Sequence, residues 1–213
     1  MLVLPHTTIV NKVVPKNSFD KFINTKQRKG FTEFIERIRW TNKLSIHTIR
    51  LEGKEVNEIQ VFEIALRKKT PAEEILNLID RHIPYHIIFE LQFEDEILYS
   101  TAQKHPHPVS EGYSVVDWRF ASDWVTKEQS PYNLNLKISL DEVFADFCLQ
   151  ITGKQRMQNQ TLSQLIVVEQ KRKQLLSEIN KLEAEIKSRK QFNKKVELNL
   201  ILQGKKVELE NIF

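Results

Sequence analysis

The most regular apolar pattern of the chain lies near its C-terminus, between Gln155 and Phe213. Hydrophobic residues recur there at steps of three and four, which keeps them on one face of a helix. This apolar seam consists of Leu165, Val168, Leu175, Ile179, Leu182 and Ile186. Arg172 interrupts it, and mixed charges cover much of the remaining helix surface. The pattern predicts a coiled-coil-like helical extension whose seam needs a partner.

Two arrangements of this extension remain open. The seam loses its phase between Ser188 and Asn193, although no proline or glycine lies there. The later apolar residues fit a shifted seam better, namely Leu198, Leu202, Leu209 and Ile212. One continuous helix would be about 90 Å long and would need its partner in another chain. In a helical hairpin, the two halves could cover each other.

The preceding residues mix helix-like and strand-like patterns. Apolar residues at helical spacing predict an amphipathic helix from Lys26 to Trp40. Alternating patterns predict paired strands over Ser45–Leu51 and Glu58–Leu66, and the second has apolar residues on both faces, as a central strand does. A capping box with proline at the first helical position, residues 70–73, predicts the start of a second helix.

Further signals complete one domain. Tyr85–Phe93 and Ile97–Ala102 flank a short polar connection and predict a β-hairpin. A second capping box begins at Ser139, and the helix after it is expected to end at Thr152-Gly153. The fold class is therefore α+β or α/β, with a mixed sheet and flanking helices over residues 1–153 and the helical extension over residues 154–213.

The net charge of +4 is unevenly distributed. Residues 154–213 carry 13 Lys and Arg against 7 Glu, whereas residues 1–153 carry 19 against 21 acidic residues. The basic residues that could neutralise phosphates of DNA are Lys171, Arg172, Lys173, Arg189, Lys190, Lys194 and Lys195. Because glutamates are interleaved among them, an ordinary solvated helix face is the favoured interpretation.

Composition excludes several classes of protein. No apolar run approaches the roughly 20 residues that a bilayer-spanning helix requires, so no membrane association is expected. The first residues lack a basic flank followed by an apolar stretch, which predicts a cytoplasmic protein without a secretory signal. Cys148 is the only cysteine; its apolar neighbours favour a small buried side chain over a catalytic thiol.

A strand with acidic residues is the nearest approach to a catalytic motif. Two-metal nucleases of the PD-(D/E)xK type need an acid followed by Glu-x-Lys on a strand, so that carboxylates hold a divalent ion and lysine activates water. Glu58 and Glu63 are the candidate acids, but Ala65 occupies the lysine position, and Arg67 is the available substitute. Structural pairing of Glu63 with a neighbour is the favoured alternative. Magnesium is expected only under the nuclease hypothesis.

Other chemistry is not indicated. His82 and His86 have the spacing of zinc ligands on a helix, but Pro84 between them breaks a helix, so structural or surface histidines are expected. No phosphate-binding glycine loop, nucleophile elbow or dinucleotide fingerprint occurs in the sequence. No cofactor is therefore expected.

Several strings together resemble a bacterial family described as a conserved domain of unknown function. They are Trp40-Thr41-Asn42-Lys43-Leu44, Glu58-Ile59-Gln60-Val61-Phe62-Glu63-Ile64, Ile83-Pro84-Tyr85-His86-Ile87 and Lys190-Gln191-Phe192-Asn193-Lys194-Lys195, with Leu4-Pro5 and Val14-Pro15-Lys16 near the N-terminus. The resemblance implies that the gene of this protein lies near restriction–modification genes and genes of Snf2 or type III-like helicases. It hence implies an accessory role in defence against foreign DNA. It also implies Glu-Ile-Lys where this chain has Glu63-Ile64-Ala65.

Two functional hypotheses follow. The first is a non-catalytic accessory protein that self-associates or binds another protein, such as a helicase or methyltransferase subunit, through its C-terminal helices. The second is a divergent metal-dependent nuclease centred on Glu63. A DNA-binding module without sequence preference is a third alternative.

Overall fold

The computed structural model describes residues 2–70, 72–110, 112–153 and 161–212. The chain divides into two compact units, Met1–Arg156 and Met157–Phe213. The domain boundary predicted after Gly153 borders residues 154–160, which lie outside the described residues, and it stays a prediction.

A mixed β-sheet forms the centre of the first unit. Its strands are β1 (Ile9–Val13), β2 (Ile35–Ser45), β3 (Glu58–Leu66), β4 (His86–Phe93), β5 (Glu96–Pro106), β6 (Ser114–Ala121) and β7 (Val125–Thr126). The first six are ordered β1-β2-β3-β4-β5-β6, and β7 pairs with β5. Only β3 and β4 run parallel among these pairs. The predicted mixed sheet and the central position of β3 are confirmed.

Helices flank the sheet, as predicted for an α+β fold. They are α1 (Thr25–Phe34), the short α2 (Ile46–Ile49), α3 (Glu73–His82) and α4 (Leu140–Ile151). Three 3-10 helices cover His6–Thr8, Lys16–Phe22 and Lys127–Gln129. Helix α3 connects the parallel strands β3 and β4, since parallel neighbours need a crossover connection.

The helix predicted from Lys26 to Trp40 is wrong beyond Phe34, where β2 begins. A β-bulge in β2 explains the error. Because its register against β3 shifts between Ile35 and Arg37, Ile35 and Ile38 are both buried on the same sheet face. They are three residues apart, which is also the spacing of residues on one face of a helix.

Two further local predictions are corrected. The strand expected over Ser45–Leu51 is wrong, because β2 ends at Ser45 and α2 follows. The first capping box is also wrong: α3 begins only at Glu73, and its N-cap Ala72 has no side chain that could accept a hydrogen bond. Pro71 of that motif lies outside the described residues.

Opposite faces of the sheet pack against different helices. One face forms a core with α1 and α3 that includes Phe31, Phe62 and Phe89. On the other face, Phe144 of α4 lies 4.5 Å from the His86 ring between centroids. The capping residue Ser139 accepts a hydrogen bond from the Glu142 amide at 3.2 Å, as the second capping box predicts.

A buried ionic cluster ties α3 to the sheet. The Lys104 ammonium donates to an Asp80 carboxylate oxygen at 2.9 Å, to the Asp80 carbonyl at 2.9 Å and to the Ile83 carbonyl at 2.7 Å. The Arg119 guanidinium binds the second Asp80 oxygen and donates to the Asn77 amide oxygen at 2.9 Å. Every proton of the lysine thus has an acceptor, which is the condition for burying such a charge.

The second unit contains two long helices, α5 (Leu162–Ser188) and α6 (Phe192–Glu210). The backbone becomes extended at Arg189, so the continuous helix left open by the sequence is excluded. Ion pairs join the helices, from Lys171 to Glu208 at 3.2 Å and from Glu178 to Lys205 at 2.8 Å. An earlier residue of α5 pairs with a later one of α6, as in an antiparallel helical hairpin.

Candidate functional site

The parallel strands β3 and β4 place two carboxylates side by side. Glu63 and Glu90 are direct neighbours in the strand register. They are only 8% and 4% exposed, and alternation along each strand directs them away from the core of α1 and α3. Burying two neighbouring acids is costly unless each finds a partner or a proton.

The structure provides partners for both acids. The Arg37 guanidinium lies 3.4 Å from a Glu63 oxygen, and the Leu2 backbone amide donates to Glu90 at 2.8 Å. Burial raises the pKa of Glu90, the Leu2 hydrogen bond opposes that rise, and the Glu63 charge adds to it. On the neighbouring β5, burial raises the pKa of Tyr99 to about 12. Burial is thus the main reason that the pKa of Glu90 is raised, and the Glu63 charge acts in the same direction.

The other two residues of the nuclease hypothesis do not join this pair. Glu58 lies five positions before Glu63 on a regular strand and hence on the opposite face. It pairs with the Lys43 ammonium at 2.6 Å and accepts from the Gln60 amide at 2.7 Å. Arg67 follows the last residue of β3, and its Nε donates to the Ile35 carbonyl at 3.3 Å. The catalytic role of these residues stays a prediction.

Glu90 is the residue of this site that the sequence reasoning missed. It lies between Phe89 and Leu91 in a strand of buried residues, as Glu63 lies between Phe62 and Ile64. An acid within an otherwise apolar strand was the available signal. The register that brings two such strands together was not available from the sequence.

Residues that could hold a metal are not clustered. Among the described residues, no group of three or more His, Cys, Asp and Glu is arranged to bind a metal ion. The ring of His82 contacts the Leu78 carbonyl at 2.7 Å, whereas burial and the Lys104 charge lower the pKa of His86 to about 4. Cys148 is fully buried, and burial raises the pKa of its thiol.

The predicted apolar seam lies along α5. Leu165, Leu175 and Ile179 are buried, and the other three seam residues are half-buried, namely Val168, Leu182 and Ile186. On α6, the shifted seam is represented by the buried Leu202. The role of this seam in oligomerisation stays a prediction.

The basic residues of the hairpin fall into two groups. Lys171 and Arg172 lie in α5 and pair with Glu208 and Glu169, the latter pair at 3.8 Å, and Lys173 lies beside them. The other four surround the hairpin turn: Arg189, Lys190, Lys194 and Lys195. Within the described residues, an ion pair is recorded only for Arg189 of these four, with Glu185 at 2.6 Å.

Helix α6 also has a second apolar stripe, which faces solvent. It consists of Val196, Leu200 and Val207, which are 45%, 66% and 54% exposed. At 100° per residue, the three side chains cluster on the side of α6 opposite the buried Leu202. An aligned apolar surface of this kind marks an interaction site more often than single exposed residues do.

Comparison with protein-family models identifies the family of the chain. A family model described as "Domain of unknown function (DUF4391)" matches residues 2–209. No curated protein and no solved structure matches the chain. Within the described residues, no helix is both long enough and apolar enough to cross a membrane.

Proposed function

The chain belongs to this family of unknown function, and on that premise we propose that it is a non-catalytic accessory protein that assembles through its C-terminal hairpin. The observation that carries the proposal is the exposed stripe Val196, Leu200 and Val207 on α6. The seam of α5 already packs within a helical hairpin, so this stripe is the surface that supports assembly.

A second copy of the chain fits this surface. The residues that flank the stripe on α6 include the uncharged Asn193 and Gln203, and Glu197 and Glu210 lie farther round the helix. Two stripes can therefore pack against each other in a two-fold dimer that leaves these charged residues at the rim of the contact. The stripe is small compared with the interfaces of permanent dimers, and association itself has a cost. The proposal therefore predicts a weak dimer that dissociates on dilution.

Charge substitution in the stripe tests the proposal. Leu200→Glu removes the largest side chain of the stripe from both copies and should weaken self-association about 100-fold. Val167→Glu is the matched control, because Val167 is 63% exposed but lies on α5. Light scattering after size exclusion should show a lower mass for the first variant only. Equal masses for the wild type, Leu200→Glu and Val167→Glu at every concentration would exclude the stripe as the assembly surface.

The family resemblance supports a biological setting for this assembly. We propose that the protein acts in the cytoplasm beside restriction–modification or related anti-phage proteins, with a helicase or methyltransferase subunit as a further partner. Co-purification with the products of neighbouring genes tests this part. A wild-type complex that survives in the Leu200→Glu variant would separate partner binding from self-association.

A metal-dependent nuclease is the second candidate function, favoured by the register of Glu63 beside Glu90. Two buried carboxylates on adjacent parallel strands could share a magnesium ion when both are ionised. Cleavage of plasmid DNA in the presence of magnesium or manganese, abolished in Glu63→Ala, would support it. An intact plasmid with either metal would remove this candidate.

A further inference from the structure

The turn of the helical hairpin carries a concentrated positive charge. Residues 187–195 contain five Lys or Arg residues and no acidic residue. We call this group the basic tip, and it consists of Lys187, Arg189, Lys190, Lys194 and Lys195. Helix α5 ends at Ser188 and α6 begins at Phe192, so all five lie at the same end of the antiparallel pair.

The charges of the basic tip differ from those along the helices. Between the helices, lysines are paired, as Lys205 is with Glu178 and Lys206 with Glu183, both at 2.8 Å. At the tip, Arg189 pairs with Glu185 and the charge of Lys187 acts on Glu183, whereas the described residues provide no ion pair for Lys190, Lys194 or Lys195. Most of the positive charge of the basic tip is therefore available to an external anion.

Two of the tip lysines occupy an unfavourable position. Lys194 and Lys195 lie at the start of α6, and the first turn of this helix contains no acidic residue. The partial positive charge of a helix N-terminus repels such cations. A bound anion would relieve this repulsion. Residues that are unfavourable for the local structure, such as cations at a helix N-terminus, are expected where a function requires them.

An exposed aromatic ring lies among these cations. Phe192 is 77% exposed, more than any other aromatic side chain of the described residues. It is the first residue of α6, between Lys190 and Lys194. A solvent-exposed ring surrounded by basic side chains is the combination by which proteins bind single-stranded nucleic acids, since bases stack on the ring and phosphates pair with the cations.

We propose that the basic tip and Phe192 form a binding site for single-stranded nucleic acid. The ring stacks on an unpaired base of any type, and the available cations of the tip neutralise neighbouring phosphates, so the site has little sequence preference. Base-paired DNA keeps its bases stacked inside the duplex and offers the ring no base face. An anionic membrane is the less suitable ligand, because one apolar side chain provides little insertion into lipid.

Fluorescence anisotropy with the full chain and a labelled oligothymidine of about 20 nucleotides tests the proposal. Binding should weaken with salt, with a slope between about −2 and −3.5 in a double-logarithmic plot for three to five neutralised phosphates. Replacing both Lys194 and Lys195 with Gln should make the slope shallower by about 1.4. The double variant Lys26→Gln/Lys29→Gln changes the net charge equally but alters exposed lysines of α1, and its slope should match the wild type.

Stacking is tested separately. Phe192→Leu keeps an apolar side chain but removes the ring, and it should weaken binding to the oligothymidine about ten-fold while leaving binding to a duplex of equal length unchanged. Circular dichroism verifies that helix content is preserved. Undetectable binding at low salt, or equal effects of the tip and control variants, would overturn the proposal. Stronger binding to phosphatidylserine vesicles than to the oligonucleotide would also overturn it.

Discussion

The buried cluster of Asp80, Lys104 and Arg119 allows a quantitative prediction. Asp80 is 0% and Lys104 3% exposed, and the Asp80 carboxylate is bound by both cations. Asp80→Asn preserves the shape of the side chain but removes the negative charge that both cations share. Breaking a buried ion pair by removing one partner costs about 3–5 kcal/mol, because the remaining charge stays buried without compensation. We expect a loss of this size in the free energy of unfolding.

Urea denaturation of the full chain measures this loss through the transition midpoint and slope. Asp117→Asn is the chemically matched control, since Asp117 forms an ion pair with His105 at the surface at 2.9 Å. That substitution should change the free energy of unfolding by less than about 1 kcal/mol. If Asp80→Asn also costs less than about 1 kcal/mol, the description of the cluster as a buried, fully bonded ionic network is incorrect.

The pH dependence adds a second test of the same cluster. Burial lowers the pKa of Lys104, although the Asp80 charge opposes that shift. Without the carboxylate the pKa should fall further, so the folded variant releases the lysine proton at lower pH than the unfolded chain. Stability of Asp80→Asn relative to wild type should therefore recover as the pH rises toward that of an unfolded lysine, about 10.4. A deficit that stays constant up to that pH would contradict the proposed origin of the loss.

Three further predictions concern single residues. Burial lowers the pKa of His86 from 6.5 to about 4, so the unfolded chain binds the proton first and the free energy of unfolding should fall by about 3 kcal/mol between pH 7 and 4. Urea titrations of His86→Gln should lack this part of the fall. Asp141 accepts three backbone amide bonds from residues 54–56, so Asp141→Ala should cost roughly 1.5–3 kcal/mol in the same assay, and an unchanged midpoint would refute the role of that loop contact. No atom lies within 4 Å of a Cβ added at Gly204 in α6, so Gly204→Ala should raise the thermal stability of the hairpin by up to about 1 kcal/mol, whereas a loss would indicate an undescribed contact.

The sequence predicted the elements whose signals are local. The β-hairpin of β4 and β5, the helix after Ser139 and the central position of β3 all follow from alternation, turn residues or caps, and all are confirmed. The errors arise where a tertiary feature changes the period of the hydrophobic pattern along the chain. The bulge in β2 gave Ile35 and Ile38 a helical spacing, and pairing with β3 overrode it.

The candidate sites depend more strongly on tertiary structure. Asp80, Lys104 and Arg119 come from three elements, and no spacing in the sequence connects them. Glu63 and Glu90 are brought together only by the parallel register of their strands. By contrast, the basic tip is contiguous in the sequence, but its separation from the paired charges became visible only once α5 and α6 were seen to fold back on each other.

Self-association of the unmodified full chain is the most direct test of the proposed function. Sedimentation equilibrium over about 10 μM to 1 mM would cover the weak dimer that the exposed stripe of α6 predicts. The mass should rise with concentration from that of one chain, 25.2 kDa, toward twice that value, 2 × 25.2 = 50.4 kDa. A mass that stays at 25.2 kDa over the whole range would contradict assembly through a second copy.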